Sequence, residues 1–557
     1  MQRRSFLVSW RFSVILVCLL LALSVIVWRL VHLNIFDRAF LLREGDARMV
    51  RIETIRAHRG MILDRFDTPL AISTPMVSIT MNPRQFKVDA QQLHQLAVLL
   101  GRSDQSLNAL IKKYQSRVFV YLKRRMQPEK AEKIMALKIP GIHSETEDKR
   151  YYPEGNAMAH VVGITNIDDH GQEGMELAYD RWLSGHDGKR EVVKDRMGHI
   201  VENIAVLKAP QQGKDLHLTL DHRLQFIAYQ ALQEVVSSHH ADSGSIIVLN
   251  AKTGEVLVDT NLPTYNPNNR QHAHTSAFRN RALTDTFEPG STMKPFTIAL
   301  ALMSDHYTAQ STVDTNPGRM KVGGFEIKDD GLNYGVINLQ QIIQKSSNIG
   351  AAKILLSLSP QDFWTLLRAF GFGMKTDSGF PGEAPGRLIA HHIWYPSDVA
   401  TLAYGYGIAV TTLQLAHAYQ VLANDGVALP VTFLKHQSSD KGQQVISEGV
   451  AHSVMSMLET VVTSGTGTRA QVSGYRVAGK TGTAYIAGPG GYDKKKFMSS
   501  FVGVAPVSNP QFVIAVVVRN PQGQHFGSLV AAPVFSKVMA SALRLWSIPP
   551  DGLNASL

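Results

Sequence analysis

Three short groups of hydroxyl, amine and amide side chains in this 557-residue chain could together perform nucleophilic chemistry. The first is Ser291 with Lys294, at the mouth of an apolar run from Thr297 to Met303 that predicts a buried helix. Residues three apart share one face of a helix, so the amine of Lys294 can reach the hydroxyl of Ser291. A buried lysine with a lowered pKa can accept the serine proton, and the helix N-terminus favours the charge that develops. Pro295 disfavours helical geometry at Lys294, so we expect an irregular first turn.

The second group is Ser346-Ser347-Asn348. The apolar periodicity of Leu339 to Ile343 stops here and resumes at Ile349, which predicts a junction between two helices. In a turn, the side chains of Ser346 and Asn348 can point the same way. Taken alone, the group is best explained by a serine that caps a helix.

The third group is Lys480-Thr481-Gly482-Thr483, inside a predicted strand from Tyr475 to Ile486. A lysine in a strand is usually a solvated edge charge. Gly482 in the strand interior, however, indicates that something approaches the backbone closely, as an extended peptide added to the strand edge would. Alternation places Lys480 opposite Thr481 and Thr483, so the three side chains need not all face one site.

The N-terminal region predicts a membrane anchor. Residues 12–28 carry no charge, Trp10 and Trp28 lie where interfacial aromatic residues belong, and we place the transmembrane segment at residues 12–33. Arg3, Arg4 and Arg11 predict that residues 1–11 are cytoplasmic and that residues beyond about 35 face outward. A cleaved signal peptide is the alternative, but no convincing small-x-small cleavage site follows the apolar core.

The charge and the single cysteine support the same interpretation. The formal net charge is +11, and residues 1–60 hold ten arginines and four acidic residues, a surplus of six. This basic surplus flanks a membrane segment, which explains it better than a nucleic-acid groove does. Cys18 lies inside the predicted span, so the exported part has no thiol for a disulfide, a metal cluster or a nucleophile.

The chain beyond the anchor predicts an α+β protein. A stalk is expected at 34–58, an irregular α+β module with helical spacing over 90–136 at 59–210, and a boundary near Ala209–Lys214. Next come a strand at 216–220, a helix at 221–236 capped by Asp221, and a β-hairpin at 245–258. A largely helical region to about 425 is followed by strands at 475–486, 497–504 and 512–518. Strands at both ends of a domain indicate one antiparallel sheet built from N- and C-terminal pieces.

The three groups occurring together in this order are much rarer than any one of them alone. Through these groups and several further segments, the chain resembles class B penicillin-binding proteins over nearly its whole length. It is similar to the division-specific type, since Glu288 precedes Pro289 where relatives serving cell elongation often differ. Two departures, Phe66-Asp67 and Gly527-Ser528, lie outside the catalytic motifs. The segments that carry the resemblance are Arg59-Gly60 with Asp64-Arg65, Arg150 to Pro153, Gly171 with Gly174 and Glu176, Asn280 to Lys294, Tyr404 to Gly407, Gly474 to Ala484, and Ala531 to Phe535.

The resemblance implies an anchored D,D-transpeptidase that cross-links peptidoglycan in the septal wall. The expected parts are the transmembrane helix, a non-catalytic pedestal at 59–210, a transpeptidase domain at 211–545 with an antiparallel five-stranded sheet flanked by helices, and a C-terminal tail at 546–557. Lys294 would deprotonate Ser291, which attacks the D-Ala-D-Ala bond of a stem pentapeptide. The N–H groups of Ser291 and Thr483 would form the oxyanion hole, and Ser346 would relay a proton to the departing D-Ala.

The remaining implied roles concern substrate binding and partners. Asn348 would hold the donor amide, and Lys480, with Thr481 or Thr483 beside Gly482, would bind the terminal carboxylate. No cofactor or metal is required, and β-lactams would acylate Ser291. The expected partners are donor and acceptor stem peptides, a membrane-embedded division glycosyltransferase and other division-complex proteins. The expected location is the bacterial inner membrane at the septum, with a periplasmic catalytic domain.

Several alternatives stay open. An elongation-type transpeptidase, a carboxypeptidase or β-lactamase of the same fold, a β-lactam receptor and a non-catalytic scaffold share these motifs. The 465–467 and 488–491 glycine segments do not sit between a strand and a helix as a phosphate loop would. The pairs His239-His240 and His391-His392 lack a carboxylate at ligand spacing, which argues against a metal site.

Overall fold

The structure, a computed structural model, describes residues 3–195, 200–330, 333–390, 393–435, 442–488 and 490–552. The chain forms two compact units. The first comprises residues 1–58, 76–147 and 185–213, and the second comprises residues 59–75, 148–184 and 214–557.

The first unit begins with the helix Arg3–Val31, which continues as a π-helix, His32–Phe36. The stretch Trp10–Phe36 is long and apolar enough to cross a membrane, and none of it is buried in the protein. The helix Arg38–Met49 and the strand Val50–Ile55 follow, within the predicted stalk. That strand pairs antiparallel with Gly188–Lys194, which pairs with Ile200–Lys208.

The rest of the first unit packs helices around a strand. The helices Ala90–Leu100, Asp104–Lys113 and Pro128–Met135 share a core with Ile79 and Leu122. The strand Val120–Met126 corrects the expectation of helical spacing across 90–136. Val120 and Leu122 are buried, which is the alternation of a strand. In the sequence this short alternation is hard to recognise between two segments with helical periodicity.

The second unit is built on a five-stranded antiparallel sheet, as predicted. Each strand bonds to its neighbours in the order Val256–Leu262, Ser243–Asn250, Phe512–Arg519, Gly491–Ala505 and Ala478–Gly488. The N-terminal hairpin thus lies beside strands that follow it by more than 200 residues. Ala478–Gly488 is an edge strand, so one side of its backbone is free to receive an extended peptide.

The sheet separates two cores because successive side chains on a strand point to opposite faces. Ile246 and Val248 face the helices His222–Ser238 and Gly527–Leu545, whereas Ile247 and Leu249 face a larger helical layer. Asp221 caps the first of these helices, as predicted, by accepting the N–H groups of Arg223 and Leu224. The helices of the larger layer are Lys294–Met303, Leu339–Lys345, Asn348–Leu356, Pro360–Ala369, Pro396–Leu402, Thr412–Ala423 and Glu448–Ser464.

A buried ion cluster links early segments of the second unit. Glu176 accepts hydrogen bonds from Arg59 at 2.6 Å and 2.8 Å and from Arg150 at 2.6 Å, and all three side chains are almost fully excluded from solvent. These residues come from three of the segments that carry the resemblance. Their contact assigns them a structural role, since a buried charge is tolerated only when it is paired.

The remaining elements are short, apart from two longer strands. The strand predicted at 216–220 is reduced to Leu216–His217, which pairs in parallel with Ile62–Leu63. The others are the strands Pro69–Met81, Ile142–Tyr151, Ile164–Thr165, Gly171–Glu173, Thr312–Asp314, Arg319–Val322, Phe325–Lys328, Val336–Asn338, Val427–Ala428 and Gln443–Gln444, and the helices Ala159–Val162, Gly174–Ala178, Asp180–Ser184 and Arg281–Thr284.

Candidate active site

Ser291 lies in a tight turn that opens a buried helix. Gly290–Met293 is a 3-10 turn and leads into the α-helix Lys294–Met303, so the predicted irregular first turn is confirmed. The Thr292 hydroxyl donates to the Pro289 carbonyl at 2.8 Å, and the hydroxyl of buried Tyr419 donates to the Thr292 carbonyl at 2.9 Å. These bonds hold the turn against the helical layer and present the Ser291 hydroxyl at its surface.

The amine of Lys294 contacts side chains of both the first and the second group. The Lys294 side chain is fully buried, and its Nζ lies 2.9 Å from Ser291 Oγ, 3.0 Å from Ser346 Oγ and 2.8 Å from Asn348 Oδ1. It also contacts the Ser346 carbonyl at 2.5 Å. The structure therefore brings a hydroxyl, an amine, a second hydroxyl and an amide into one cluster.

The junction between two helices orients Ser346 and Asn348. Ser346 ends the helix Leu339–Lys345 in the left-handed region, with φ of 62°, and Ser347 caps the helix Asn348–Leu356 by accepting the Gly350 N–H. The capping function thus belongs to the Ser347 side chain. Ser346 and Asn348 are left free to point toward Lys294, which an uninterrupted helix would prevent.

Lys480 joins the cluster from the edge strand. Its side chain is fully buried, and Nζ donates to Ser346 Oγ at 3.0 Å. The hydroxyls of the neighbouring threonines bond to residues outside the cluster: Thr481 Oγ1 lies 2.9 Å from Thr466 Oγ1, and Thr483 Oγ1 accepts the Gly527 N–H at 3.0 Å. Ser346 therefore bridges the two lysines.

Gly482 allows the strand to pack against the turn that carries Ser291. A Cβ at this position would lie 2.3 Å from Ser500 Oγ and 3.0 Å from the Pro289 carbonyl oxygen. A Cβ at Gly290 would in turn lie 3.4 Å from the Thr483 carbonyl oxygen. The predicted close approach at Gly482 is thus made by the protein's own turn, which brings the strand beside the Ser291 hydroxyl.

Burial lowers the pKa of both lysines. Desolvation lowers the pKa of Lys294 to about 7, against an opposing effect of the nearby carboxylates of Asp329 and Asp330. Desolvation also lowers the pKa of Lys480 well below its usual range, and the charge on Lys294 lowers it further. Two adjacent buried ammonium groups repel, so protonation of one disfavours protonation of the other. A neutral Lys294 can accept the proton of Ser291.

Asp329 is a residue of the site that the sequence analysis missed. Its buried carboxylate accepts the Ser347 hydroxyl at 2.6 Å, the Asn348 N–H at 2.6 Å and the Ile349 N–H at 3.1 Å. It therefore anchors the turn between Ser346 and Asn348. The sequence contained only an acidic pair in a loop, with no periodicity that connects it to a turn 18 residues later.

Thr466 is a second missed residue. The glycines of its segment, 465–467, do not form a phosphate loop and indicated no other role from the sequence, whereas the Thr466 hydroxyl pairs with that of Thr481. As for metals, His391 and His392 lie outside the described residues. Within the described ones, no three His, Cys, Asp or Glu side chains gather as a metal ion would require.

Comparisons with known proteins give two family matches. Residues 244–540 match the penicillin binding protein transpeptidase domain, and residues 54–218 match the penicillin-binding protein dimerisation domain. Over 557 residues the chain is 42% identical to the probable peptidoglycan D,D-transpeptidase PbpC of Pseudomonas aeruginosa, covering 100% of this chain and 98% of that protein. It is 38% identical to the peptidoglycan D,D-transpeptidase FtsI of Escherichia coli K12, covering 98% and 94%.

A solved structure has the same architecture. Penicillin binding protein 3 of Mycobacterium tuberculosis, in complex with aztreonam, has a TM-score of 0.70 and 27% identity, and the alignment covers 89% of this chain and 98% of that one.

Proposed function

The chain belongs to the class B penicillin-binding proteins, and we propose how its site performs the peptidoglycan D,D-transpeptidase reaction of that family. It is a serine-type enzyme. The observation that carries the assignment of residues is the contact of Lys294 Nζ with Ser291, Ser346 and Asn348, all within 3.0 Å.

Acylation begins at Ser291. Neutral Lys294 takes the hydroxyl proton as Ser291 Oγ attacks the carbonyl of the penultimate D-Ala. The N–H groups of Ser291 and Thr483 are proposed to stabilise the oxyanion, and each such donor contributes about 2.7–4 kcal/mol in comparable sites. The C–N bond then breaks, and the proton passes from Lys294 through the Ser346 hydroxyl to the amine of the departing D-Ala.

Binding of the donor uses the edge strand. The terminal carboxylate lies against Lys480 and the Thr481–Thr466 hydroxyl pair, and its charge favours the protonated form of Lys480. Lys294 then stays neutral, because a second ammonium beside Lys480 is disfavoured. Asn348, held by Asp329, binds the donor amide through its side chain.

Deacylation completes the cross-link. An amine of a second stem peptide attacks the acyl-enzyme and loses its proton to neutral Lys294, and that proton passes to Ser291 Oγ as the ester C–O bond breaks. A β-lactam acylates Ser291 in the same way, but its leaving group stays attached and leaves no room for an acceptor.

The N-terminal apolar helix and the similarity to FtsI indicate a membrane-anchored, periplasmic enzyme whose substrates are peptidoglycan peptides. We further propose that residues 1–11 are cytoplasmic, that the enzyme works at the division septum, and that residues 59–210 and the anchor contact a membrane-embedded glycosyltransferase and other division proteins. The family match at 54–218 supports a separate non-catalytic domain there. Depletion in cells tests the site of action: filamentation supports division, and rounding supports elongation.

Labelling with a fluorescent penicillin tests the nucleophile. The full chain in detergent should label, Ser291→Ala should not, and Ser456→Ala, which alters an exposed serine on the helix Glu448–Ser464, should label as the wild type does. Labelling of Ser291→Ala would show that a residue other than Ser291 is the nucleophile. Product analysis with peptidoglycan substrates separates the enzyme classes, since hydrolysis without cross-linked dimers would identify a carboxypeptidase.

A further inference from the structure

A cavity of about 400 Å³ lies beside the site, and the mechanism above does not use it. Its wall includes Glu288, three residues before Ser291, and Tyr485, Ile486 and Ala487, which directly continue the edge strand beyond the Lys480–Thr483 group. Arg387 and Arg519 complete its charged lining. The cavity therefore borders both the turn that carries the nucleophile and the strand that receives the donor.

The two arginines are positive charges without a partner in the part of the chain that the structure describes. Neither guanidinium forms a hydrogen bond or an ion pair with a described residue. The nearby carboxylates have other partners and pair with neither arginine. Glu288 Oε1 accepts the Gly407 N–H at 2.8 Å and the Tyr492 hydroxyl at 3.1 Å, Glu288 Oε2 is buried without a partner among the described residues, and Asp285 pairs with Arg279 and Arg281.

The backbone at both arginines is fixed. Arg387 exchanges hydrogen bonds of 2.7 Å and 2.9 Å with Ala409, and next to it Val410 exchanges two bonds with Phe287. Arg519 ends a central strand and pairs with Met498, whose side chain is buried in the cavity wall. Two cations that line one cavity and are carried on a rigid frame can form a receptor for an anion.

The proposed reaction sets the direction from which that anion arrives, and the inference rests on that proposed function. The donor's terminal carboxylate lies at Lys480 and its scissile carbonyl at Ser291 and Thr483, so its earlier residues continue along the strand past Tyr485. A strand advances about 3.3 Å per residue, so Thr483 to Ala487 spans about 13 Å, enough for three or four substrate residues.

We propose that Arg387 and Arg519 form a subsite for a carboxylate on the donor peptide, upstream of its D-Ala-D-Ala end. The enzyme thereby selects acidic stem peptides over neutral ones. The carboxylate receives charge-assisted hydrogen bonds from the two guanidinium groups, and its binding draws the preceding residues of the donor onto the edge strand.

The test compares two synthetic pentapeptides ending in D-Ala-D-Ala that differ only at the third residue, which carries a side-chain carboxylate in one and the matching carboxamide in the other. The full chain in detergent is assayed for D-Ala release. We expect the wild type to favour the carboxylate peptide in kcat/KM by about tenfold or more, since hydrogen bonds to charged groups are stronger than neutral ones.

The arginine variants locate the selectivity. In the Arg387→Ala, Arg519→Ala double variant the ratio of the two kcat/KM values should fall to about 1, and lysine at both positions should restore part of it. Arg544→Ala removes an exposed positive charge from the last turn of the helix Gly527–Leu545 and should keep the wild-type ratio.

Equal use of both peptides by the wild type would overturn the inference, and this comparison needs no variant to fold. A wild-type ratio retained by the double variant would also overturn it. Release of D-Ala from neither peptide would instead overturn the proposed function, so the two failures are distinguishable.

Discussion

Replacing Asp329 by asparagine should lower the pH at which acylation of Ser291 reaches half its maximal rate. Lys294 acts as a base only when neutral, so the wild-type acylation rate should rise with pH and level off above the lysine pKa of about 7. The Asp329 carboxylate favours the ammonium form and raises that pKa. Removing this charge should move the midpoint down by about one pH unit, the lower end of the effect of one nearby opposite charge.

The same substitution should cost stability, because Asp329 also holds the turn that carries Asn348. The asparagine oxygen can still accept the two backbone N–H groups, but its amide nitrogen would face the Ser347 hydroxyl, whose oxygen already accepts the Gly350 N–H. Loss of one charged hydrogen bond in a buried site predicts a decrease in the free energy of unfolding of about 1.5–3 kcal/mol.

Asp330→Asn is the matched control. Asp330 also raises the pKa of Lys294, but its side chain is exposed, and no described residue bonds to it. It should shift the midpoint in the same direction, by less because water screens the charge, and should leave stability unchanged. The pair of variants thus separates the electrostatic effect on the base from the positioning of the turn.

The assay is single-turnover acylation by a chromogenic cephalosporin between about pH 5 and about pH 9, with urea unfolding measured in parallel. Burial of neutral Lys294 should also make the free energy of unfolding depend on pH. The unfolded chain binds this proton more tightly than the folded one, so wild-type stability should rise between about pH 7 and about pH 10. An unchanged or raised acylation midpoint in Asp329→Asn would refute the assignment of Lys294 as the base that this carboxylate tunes.

Two further predictions concern packing. Gly482→Ala should slow acylation by about tenfold or more, because the added Cβ would collide with Ser500 and the Pro289 carbonyl. Gly488→Ala on the same strand should leave the acylation rate unchanged, because its Cβ would have no neighbour closer than 3.9 Å. Equal rates in the two variants would exclude a tight fit at Gly482. Glu176→Ala should lower the free energy of unfolding by about 3–5 kcal/mol in urea, since it removes the carboxylate that pairs with the buried guanidinium group of Arg150 and leaves buried Arg59 with Asp180 as its one ionic partner among the described residues. Glu234→Ala, in an exposed pair with Lys537, should leave the unfolding midpoint unchanged, and an equal loss in both variants would contradict the role given to burial.

Local patterns predicted several elements and their ends. The cap at Asp221, the hairpin near Ser245 and the strand from Phe512 each follow from residue types within a few positions of the feature. The strand Val120–Met126 was missed because a seven-residue alternation between two amphipathic helices is a weak signal. Residues 196–199 and 553–557 lie outside the described part of the chain, so predictions that fall on them stay predictions.

The sequence by itself determined which side chains could react and in what order they occur, because the Ser291–Lys294 spacing and the Ser346-Ser347-Asn348 junction are local features of helices. Only the tertiary structure decided that Lys480 reaches Ser346, that Asp329 anchors the Asn348 turn and that Thr466 meets Thr481. It alone placed Arg387 and Arg519 on one cavity, where neither guanidinium has a partner among the described residues. The physical reason is that local spacing sets the direction of a side chain relative to its own helix or strand, whereas burial, charge and pKa depend on neighbours supplied by distant parts of the chain.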